Sequence, residues 1–272
     1  MSNQSQAFRA LHTGPLPLRL VNAWDAGSAR LFESLGAHAI GTTSAGMAWA
    51  LGYPDGRILP AGEALGVVTR MTRVLRVPLS VDIEHGFSDD PGVVATHVKR
   101  LIDAGVAGVN IEDGSDSPSL LAAKIEAIKT ATVHAGADIF VNARTDVFLA
   151  QLVTAPMQVE ESITRGALYA SAGADGLFVP ALHRPEDIQT IASEITLPLN
   201  VLTWKGLAVA DELGKLGVRR LSLGAAISQA IWAKAATLAE AFLEAGQSDP
   251  LMENPMPRPR LQGLFTGVGM SK

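Results

Sequence analysis

Three carboxylates stand where short apolar stretches end. Asp82 and Glu84 lie in Val81-Asp82-Ile83-Glu84-His85-Gly86, and Glu112 lies in Asn110-Ile111-Glu112-Asp113-Gly114. Residues two apart on an extended backbone point to one side, so Asp82 and Glu84 are expected to share a face, with Glu112 at the same height on the neighbouring strand. Acids that converge in this way repel one another unless a cation neutralises them. Oxygen-only ligands suit Mg²⁺ or Mn²⁺ rather than zinc. The alternative is that these acids pair with Arg144 or Arg165, or only cap the helices that follow. Arg144, in Asn142-Ala143-Arg144-Thr145-Asp146, is expected one strand further on. A guanidinium there can stabilise an oxyanion that develops during reaction, or form a structural ion pair with Asp146 or Glu112. The turn Thr42-Thr43-Ser44-Ala45-Gly46 offers hydroxyls and free backbone N–H groups to a carboxylate or phosphoryl oxygen. It lacks Gly-Lys-Ser/Thr and is no nucleotide-binding loop. Asn200, at the end of another apolar stretch, is a further polar candidate for holding substrate. His85 and His183 are candidate proton carriers, with surface or capping roles as the alternative. Asp25, beside Trp24, reads most simply as a helix N-cap.

Positioning these groups requires a repeating scaffold, and the chain has one. A helix-like segment ending in Gly, then Ala or Val, then a short apolar run, recurs at Gly36, Gly105, Gly136, Gly173 and Gly217. Glycine just past a helix takes the left-handed position that a Cβ would strain, and each following run reads as a buried parallel strand. Eight such runs are expected, at 18–22, 38–42, 78–82, 107–111, 138–142, 175–179, 197–201 and 218–223. The intervening segments carry helical apolar faces: Val94, Val98, Leu101 and Ile102, with Asp90 as N-cap and Pro91 at the first helical position; Ile188, Ile191 and Ile195; and Leu207, Ala210, Leu213 and Leu216. Eight alternating β and α units predict a (β/α)8 TIM-type barrel, whose chemistry sits at the C-terminal ends of the strands. A doubly wound open sheet is the alternative, and Val21-Asn22-Ala23-Trp24 supplies no phosphate loop for it. One domain is expected over 1–272, with the barrel at about 15–246. The tail 249–272, with Pro250, Pro255, Pro257 and Pro259, is expected to be non-helical in its middle, as an extended arm, an oligomer contact or a loose terminus.

Composition narrows the partners. In 272 residues, 22 basic side chains face 27 acidic ones for a net charge of −5, which argues against nucleic acid. Cysteine is absent, removing disulfides, thiolate metal sites and cysteine nucleophiles. No apolar run is long enough for a membrane span, and the segment Met1–Thr13 is polar without a signal-like stretch. A cytoplasmic location is the expectation.

Together these motifs resemble the isocitrate lyase / phosphoenolpyruvate mutase superfamily. The matching pieces are Val21-Asn22-Ala23-Trp24-Asp25-Ala26 with Ser28-Ala29-Arg30, Leu51-Gly52-Tyr53-Pro54-Asp55, Asp82-Ile83-Glu84, Gly108-Val109-Asn110-Ile111-Glu112-Asp113 and Asn142-Ala143-Arg144-Thr145-Asp146. The resemblance implies that Asp82, Glu84 and Glu112 hold Mg²⁺, largely through bound waters. It implies that Asp55 is an acid beside metal and substrate, that Arg144 binds substrate, and that Thr43, Ser44 and Ala45 form the turn for its carboxylate. It further implies a homo-oligomer, tetramer or dimer, with a C-terminal helix exchanged between subunits. The chain departs from the family where the lyases carry Lys-Lys/Arg-Cys-Gly-His on a lid after the fourth strand. Here Glu112-Asp113-Gly114-Ser115-Asp116-Ser117-Pro118-Ser119 runs directly into a helix. The mutase's lid lysine and asparagine are also missing, and Val179-Pro180 stands where relatives have His or Glu. The expected activity is Mg²⁺-dependent cleavage of a C–C bond in a small, oxaloacetate-like 2-oxo acid through a metal-stabilised enolate. The alternatives are a P–C hydrolase or mutase acting on phosphonopyruvate or phosphoenolpyruvate, and a non-catalytic homologue that binds a 2-oxo acid.

Overall fold

The structure is a computed structural model that describes residues 3–267; the outermost ends of the expected domain and tail, 1–2 and 268–272, lie outside the described residues. Strands β1 (Leu18–Ala23), β2 (Ile40–Thr42), β3 (Leu79–Asp82), β4 (Gly108–Glu112), β5 (Phe140–Arg144), β6 (Gly176–Val179), β7 (Leu199–Leu202) and β8 (Val218–Ser222) close into a parallel barrel in sequence order. This is the (β/α)8 arrangement that the eight apolar runs predict, and every strand overlaps its expected run. The five repeating glycines all lie at positive φ, from 62° at Gly136 to 101° at Gly173, so the helix-stop reading of that phrase holds.

The helices are α1 (Asn3–Ala10), α2 (Ala26–Ser34), α3 (Ser44–Ala50), α4 (Ala61–Val74), α5 (Pro91–Asp103), α6 (Pro118–His134), α7 (Gln158–Ser171), α8 (Pro185–Glu194), α9 (Ala210–Lys215), α10 (Ala226–Ala245), α11 (Asp249–Met252) and α12 (Arg258–Phe265). α5 starts as its sequence dictates. Asp90 accepts from the N–H groups of Gly92 and Val93, Pro91 takes the first helical position, and Val94, Val98 and Leu101 are buried. Asp25 likewise caps α2, in a reciprocal capping box with Ser28.

Two expectations are corrected. The helix expected to carry Leu207 spans only Ala210–Lys215, so Leu207 precedes it in a turn. The C-terminal tail is not an extended arm. Pro250 and Pro259 sit in the first turns of α11 and α12, where a missing N–H costs nothing, and the stretch between the two helices is non-helical, as expected, with Asn254 at φ 54°. α12 packs on α2, with Leu264 buried and its carbonyl accepting from Arg30 Nε at 2.8 Å. Beyond these expectations, the polar N-terminal segment forms α1, which plugs the barrel's N-terminal end. Phe8 is fully buried there among Leu18, Leu20, Ala39, Ala107 and Phe140, and a Cβ on Gly108 would come within 2.8 Å of its ring.

Above this plug the barrel interior is polar. Asn142 Nδ2 donates to Asn110 Oδ1 and Asn200 Oδ1, both at 3.0 Å, and Asn200 Nδ2 donates to Ser222 Oγ at 3.1 Å. Gly176 makes room for this layer, because a Cβ there would lie 2.7 Å from Asn142 Oδ1. The layer is the floor on which the mouth residues stand.

Candidate active site

At the C-terminal mouth the strands deliver the acids in the expected order, by a different local geometry for one of them. β3 ends at Asp82, and Glu84 is not extended: it sits at φ 51° in a tight turn, with Gly86 and Phe87 also at positive φ. The turn folds Glu84 back over Asp82, whose Oδ1 accepts from the Glu84 N–H at 3.2 Å. Such a backbone persists only where the surroundings fix it. Here Lys124, buried on α6, donates from Nζ to the His85 carbonyl at 2.9 Å, and the Glu84 carbonyl accepts from the Glu112 N–H at 2.9 Å.

Each acid has a distinct set of partners. Asp82 Oδ2 accepts from Ser44 Oγ at 3.0 Å, and its backbone N–H donates to Thr42 Oγ1 at 2.8 Å. Glu84 Oε1 accepts from the Arg57 backbone N–H at 2.9 Å, while its buried Oε2 has no partner. Glu112 Oε2 pairs with Arg144 Nη1 at 2.8 Å. Arg144 is further held by Asp146, through Nε to Oδ1 at 2.7 Å and Nη2 to Oδ2 at 3.0 Å, and it lies over the Phe178 ring. The ion pairs left open for Arg144 are therefore both present. Asp146 takes two of the five guanidinium N–H bonds and Glu112 adds an ion pair at Nη1, so the structural pairing does not preclude contact with a substrate.

The electrostatics are those of an anionic mouth. Burial pushes the Glu112 carboxyl up to about 8; Arg144 opposes this, and Asp82, Asp146 and Glu84 add to it. Glu84 is raised by burial and by Asp82 and Asp55, against the Arg57 N–H. Asp55, on the rim between α3 and α4, is raised by its partial burial and by Asp82, with the Gly56 N–H and Arg144 opposing. Burial works against the charge of Arg144, but Glu112 and Asp146 hold its pKa above the ordinary value. The loop thus brings Asp55 within electrostatic reach of the strand-end acids.

A divalent cation fits this donor set. Glu84 Oε2 is a buried carboxylate oxygen without a donor, and three neighbouring acids hold protons more tightly than free carboxyls do. Among the described residues no three acid or imidazole side chains converge closely enough to ligate one ion directly. An ion held here would therefore need water to complete its shell, which Mg²⁺ and Mn²⁺ chemistry allows. Asp82, Glu84 and Glu112 would hold it.

The other expected site residues divide. Thr43 is the N-cap of α3, its Oγ1 accepting from the Gly46 N–H at 3.3 Å, so Ser44 and Ala45 open the first turn beside Asp82. Asn200 is not brought to the mouth: it is 1% exposed, and both ends of its amide are committed to the floor. His85 Nδ1 is buried without a partner behind the Glu84 turn. His183 Nδ1 lies 2.8 Å from the Ala181 carbonyl, in a rim groove of about 680 Å³ with Phe148 and Trp204.

Two further residues, Asp113 and Arg57, support the site. Asp113, 1% exposed, accepts from Tyr169 Oη at 2.6 Å, Arg165 Nη1 at 2.9 Å and the Asp146 N–H at 2.9 Å. It points away from the barrel axis and ties Glu112's neighbour to Arg144's. Strand alternation would have found it, since Asn110 and Glu112 face inward. Arg57, at φ 67°, bonds Glu84 through its backbone and reaches Asp116 Oδ2 at 2.9 Å through its side chain. No sequence signal marks it, because its place depends on the conformation of the loop.

The chain is similar to known proteins over most of its length. The profile of the phosphoenolpyruvate phosphomutase family matches residues 8–243. An uncharacterised Mycobacterium tuberculosis protein (strain H37Rv) is 39% identical over 222 residues, covering 80% of this chain and 81% of its own. The oxaloacetate decarboxylase of Bradyrhizobium sp. is 30% identical over 240 residues, covering 84% and 82%. Among solved structures, a Burkholderia cenocepacia protein described as a phosphonomutase superposes with a TM-score of 0.83 at 36% identity, covering 88% of this chain and 100% of that one.

Proposed function

The chain belongs to the phosphoenolpyruvate phosphomutase family, whose members are lyases and mutases acting on C–C or P–C bonds, and from that premise we propose a Mg²⁺-dependent lyase that decarboxylates oxaloacetate or a closely related 2-oxo acid. The observation that carries this reading is the gathering of Asp82, Glu84, Glu112 and Asp55 at one mouth around the guanidinium of Arg144. Asp82, Glu84 and Glu112 would hold a Mg²⁺ there, which would supply Lewis acidity to the keto oxygen. The first turn of α3 receives the substrate carboxylate on the backbone N–H groups of Ser44 and Ala45, which have no intrahelical partner, while Thr43 caps the helix with its N–H on the Ala23 carbonyl. Arg144, fixed by Glu112 and Asp146, presents its remaining N–H bonds to the oxygen on which charge develops. When the bond to the leaving carboxylate breaks, CO₂ departs and its electron pair passes into an enolate. That enolate then takes a proton from water to give the keto product. Protonation by water needs no lid residue, in keeping with the five-residue connection 113–117 between β4 and α6.

The test is direct. Purified protein with Mg²⁺ is given oxaloacetate, and pyruvate is followed by a coupled assay. Turnover is expected, and Glu112→Ala and Arg144→Ala are each expected to lower it by at least about a hundredfold, the scale for losing one oriented electrostatic contact. Comparable turnover by either variant would sink the assignment. The second reading is P–C cleavage of phosphonopyruvate, favoured by the similarity to the Burkholderia protein, and phosphate release from that substrate would support it. Tight Mg²⁺-dependent binding of a 2-oxo acid with no product would indicate the non-catalytic homologue. The reading also makes the chain a cytoplasmic homo-oligomer, tetramer or dimer, in which a second copy covers α10. No helix among the described residues is long and apolar enough to cross a membrane.

A further inference from the structure

The floor beneath the mouth holds a charge that the proposed chemistry does not use. Arg220 on β8 points into the barrel and is 1% exposed. Its partners are neutral: Nε donates to Ser222 Oγ at 3.0 Å, and Nη2 donates to Asn110 Oδ1 at 3.2 Å. Nη1 has no hydrogen-bond partner. The ring of Phe8 lies 5.9 Å below the guanidinium carbon. An isolated cation in such a place is costly unless an opposite charge acts on it. Among the described residues it forms no ion pair, and every other buried arginine that the site uses does: Arg144 with Glu112 and Asp146, Arg165 with Asp113.

The opposite charge lies on β3 and β4. Asn110, which holds Nη2, pairs in register with Asp82 of β3 and stands two residues before Glu112 on the inward face of β4. Two residues of strand span roughly 7 Å, a distance over which charges still act strongly in a dry interior. Burial pushes the Arg220 pKa down to about 9, and Asp82 is the group that pulls against it. The guanidinium therefore stays charged at neutral pH beneath a ring of acids.

We infer that Arg220 is the internal counter-charge of the mouth carboxylates, a positioning residue that holds Asp82 and its neighbours together from below and weakens their grip on a divalent cation. The effect on the cation rests on the proposed metal site, whereas the coupling to Asp82 does not. Arg220 touches no substrate in this scheme. A purely hydrogen-bonding role in the Asn110–Asn142–Asn200–Ser222 layer is the competing account. The two differ in sign: loss of a hydrogen-bonding strut loosens the site and weakens cation binding, whereas loss of a counter-charge tightens it.

Two measurements separate them. In the first, Mn²⁺ binding is titrated by electron paramagnetic resonance in the wild type, R220M and R220K. R220M is expected to bind Mn²⁺ roughly tenfold more tightly, with R220K, which keeps the charge and loses the fork, within about twofold of the wild type. In the second, denaturant unfolding of the metal-free protein is measured for R220M, D82N and the double variant. The factor by which R220M lowers the folding constant is expected to shrink at least about fivefold in the D82N background. Weaker or unchanged Mn²⁺ binding by R220M, or independence of the two substitutions, overturns the inference. A wild type that binds no Mn²⁺ while the coupling to Asp82 persists overturns the metal site and leaves the counter-charge standing. Should R220M not fold, the neutral and polar R220Q takes its place in both measurements, with the same outcomes upholding or overturning the inference.

Discussion

Asp113 shows how much of a catalytic mouth is decided by a side chain that faces away from it. Its carboxylate accepts three hydrogen bonds in a fully buried position, from Tyr169, Arg165 and the Asp146 backbone. Removing its charge leaves Arg165 facing a neutral amide, and the amide's NH₂ group meets donors. Asp113→Asn is therefore expected to cost about 3 kcal/mol of stability, the scale for breaking a buried charged pair, with Tyr169→Phe costing about 1 kcal/mol. Denaturant midpoints check both. Because Asp146 holds Arg144, Asp113→Asn is also expected to lower kcat more than it raises KM. At this scale the sequence was partly legible. Asp82, Glu112 and Arg144 follow from strand alternation, and they meet as that alternation requires. Glu84 reaches the same mouth by a left-handed turn that alternation does not describe. Asp55 and Arg57 arrive on a loop whose path no local pattern encodes. Asn200 read as a mouth residue because strand ends were judged by sequence position, but its side chain faces the layer below.

Among the elements, the strands and their helix stops were legible because each is local: an apolar run, a glycine, a capping aspartate. α1 was not, because its eight residues carry one large apolar anchor, Phe8, and a polar remainder. Its meaning is tertiary, as the plug of the barrel floor. That plug makes a pH prediction. His12, just past α1, stacks on Phe140 with 4.4 Å between ring centres and is 3% exposed. Burial first, and then the charge of Arg220, lowers its pKa to about 3 from 6.5. The folded state therefore keeps His12 neutral while the unfolded chain protonates it near pH 6.5. The stability held by the neutral ring is fully present above pH 6.5 and is lost progressively as pH falls towards 3. At 1.36 kcal/mol per pH unit for one proton, about 2–3 kcal/mol should go between pH 6.5 and 4.5. His12→Phe, which keeps the stacked ring, should lack that part of the slope. Chemical denaturation across this range measures the difference between the two proteins, so acids elsewhere with raised pKa values cancel. Parallel slopes would show that His12 is not the group that titrates.

The whole molecule closes its barrel with eight strands but leaves one part of the wall bare. In a (β/α)8 barrel the helix after the last strand packs back over the first. Here α10 spans twenty residues of which only Ser228 is buried, while Ile231, Trp232, Phe242 and Leu243 are 49–81% exposed. The outer side of β1 is correspondingly open, as a groove of about 600 Å³ lined by residues including Leu16, Val21, Phe32 and Ile227. Exposed apolar groups on this scale mark an interface rather than a water-facing surface, and a bare groove beside an unpacked helix is complementary to a second copy of both. The sequence could show that α10 is apolar but not where it points, since helical periodicity fixes a face and not the partner that covers it. The protein is accordingly expected to be a dimer or tetramer at micromolar concentration by light scattering. Phe242→Glu combined with Leu243→Glu places two charges on the uncovered helix and should shift it to monomer without unfolding the barrel. If instead the wild type is monomeric, α10 must find its cover within one chain, and the exposure of Trp232 should then fall when tryptophan fluorescence quenching is measured in solution.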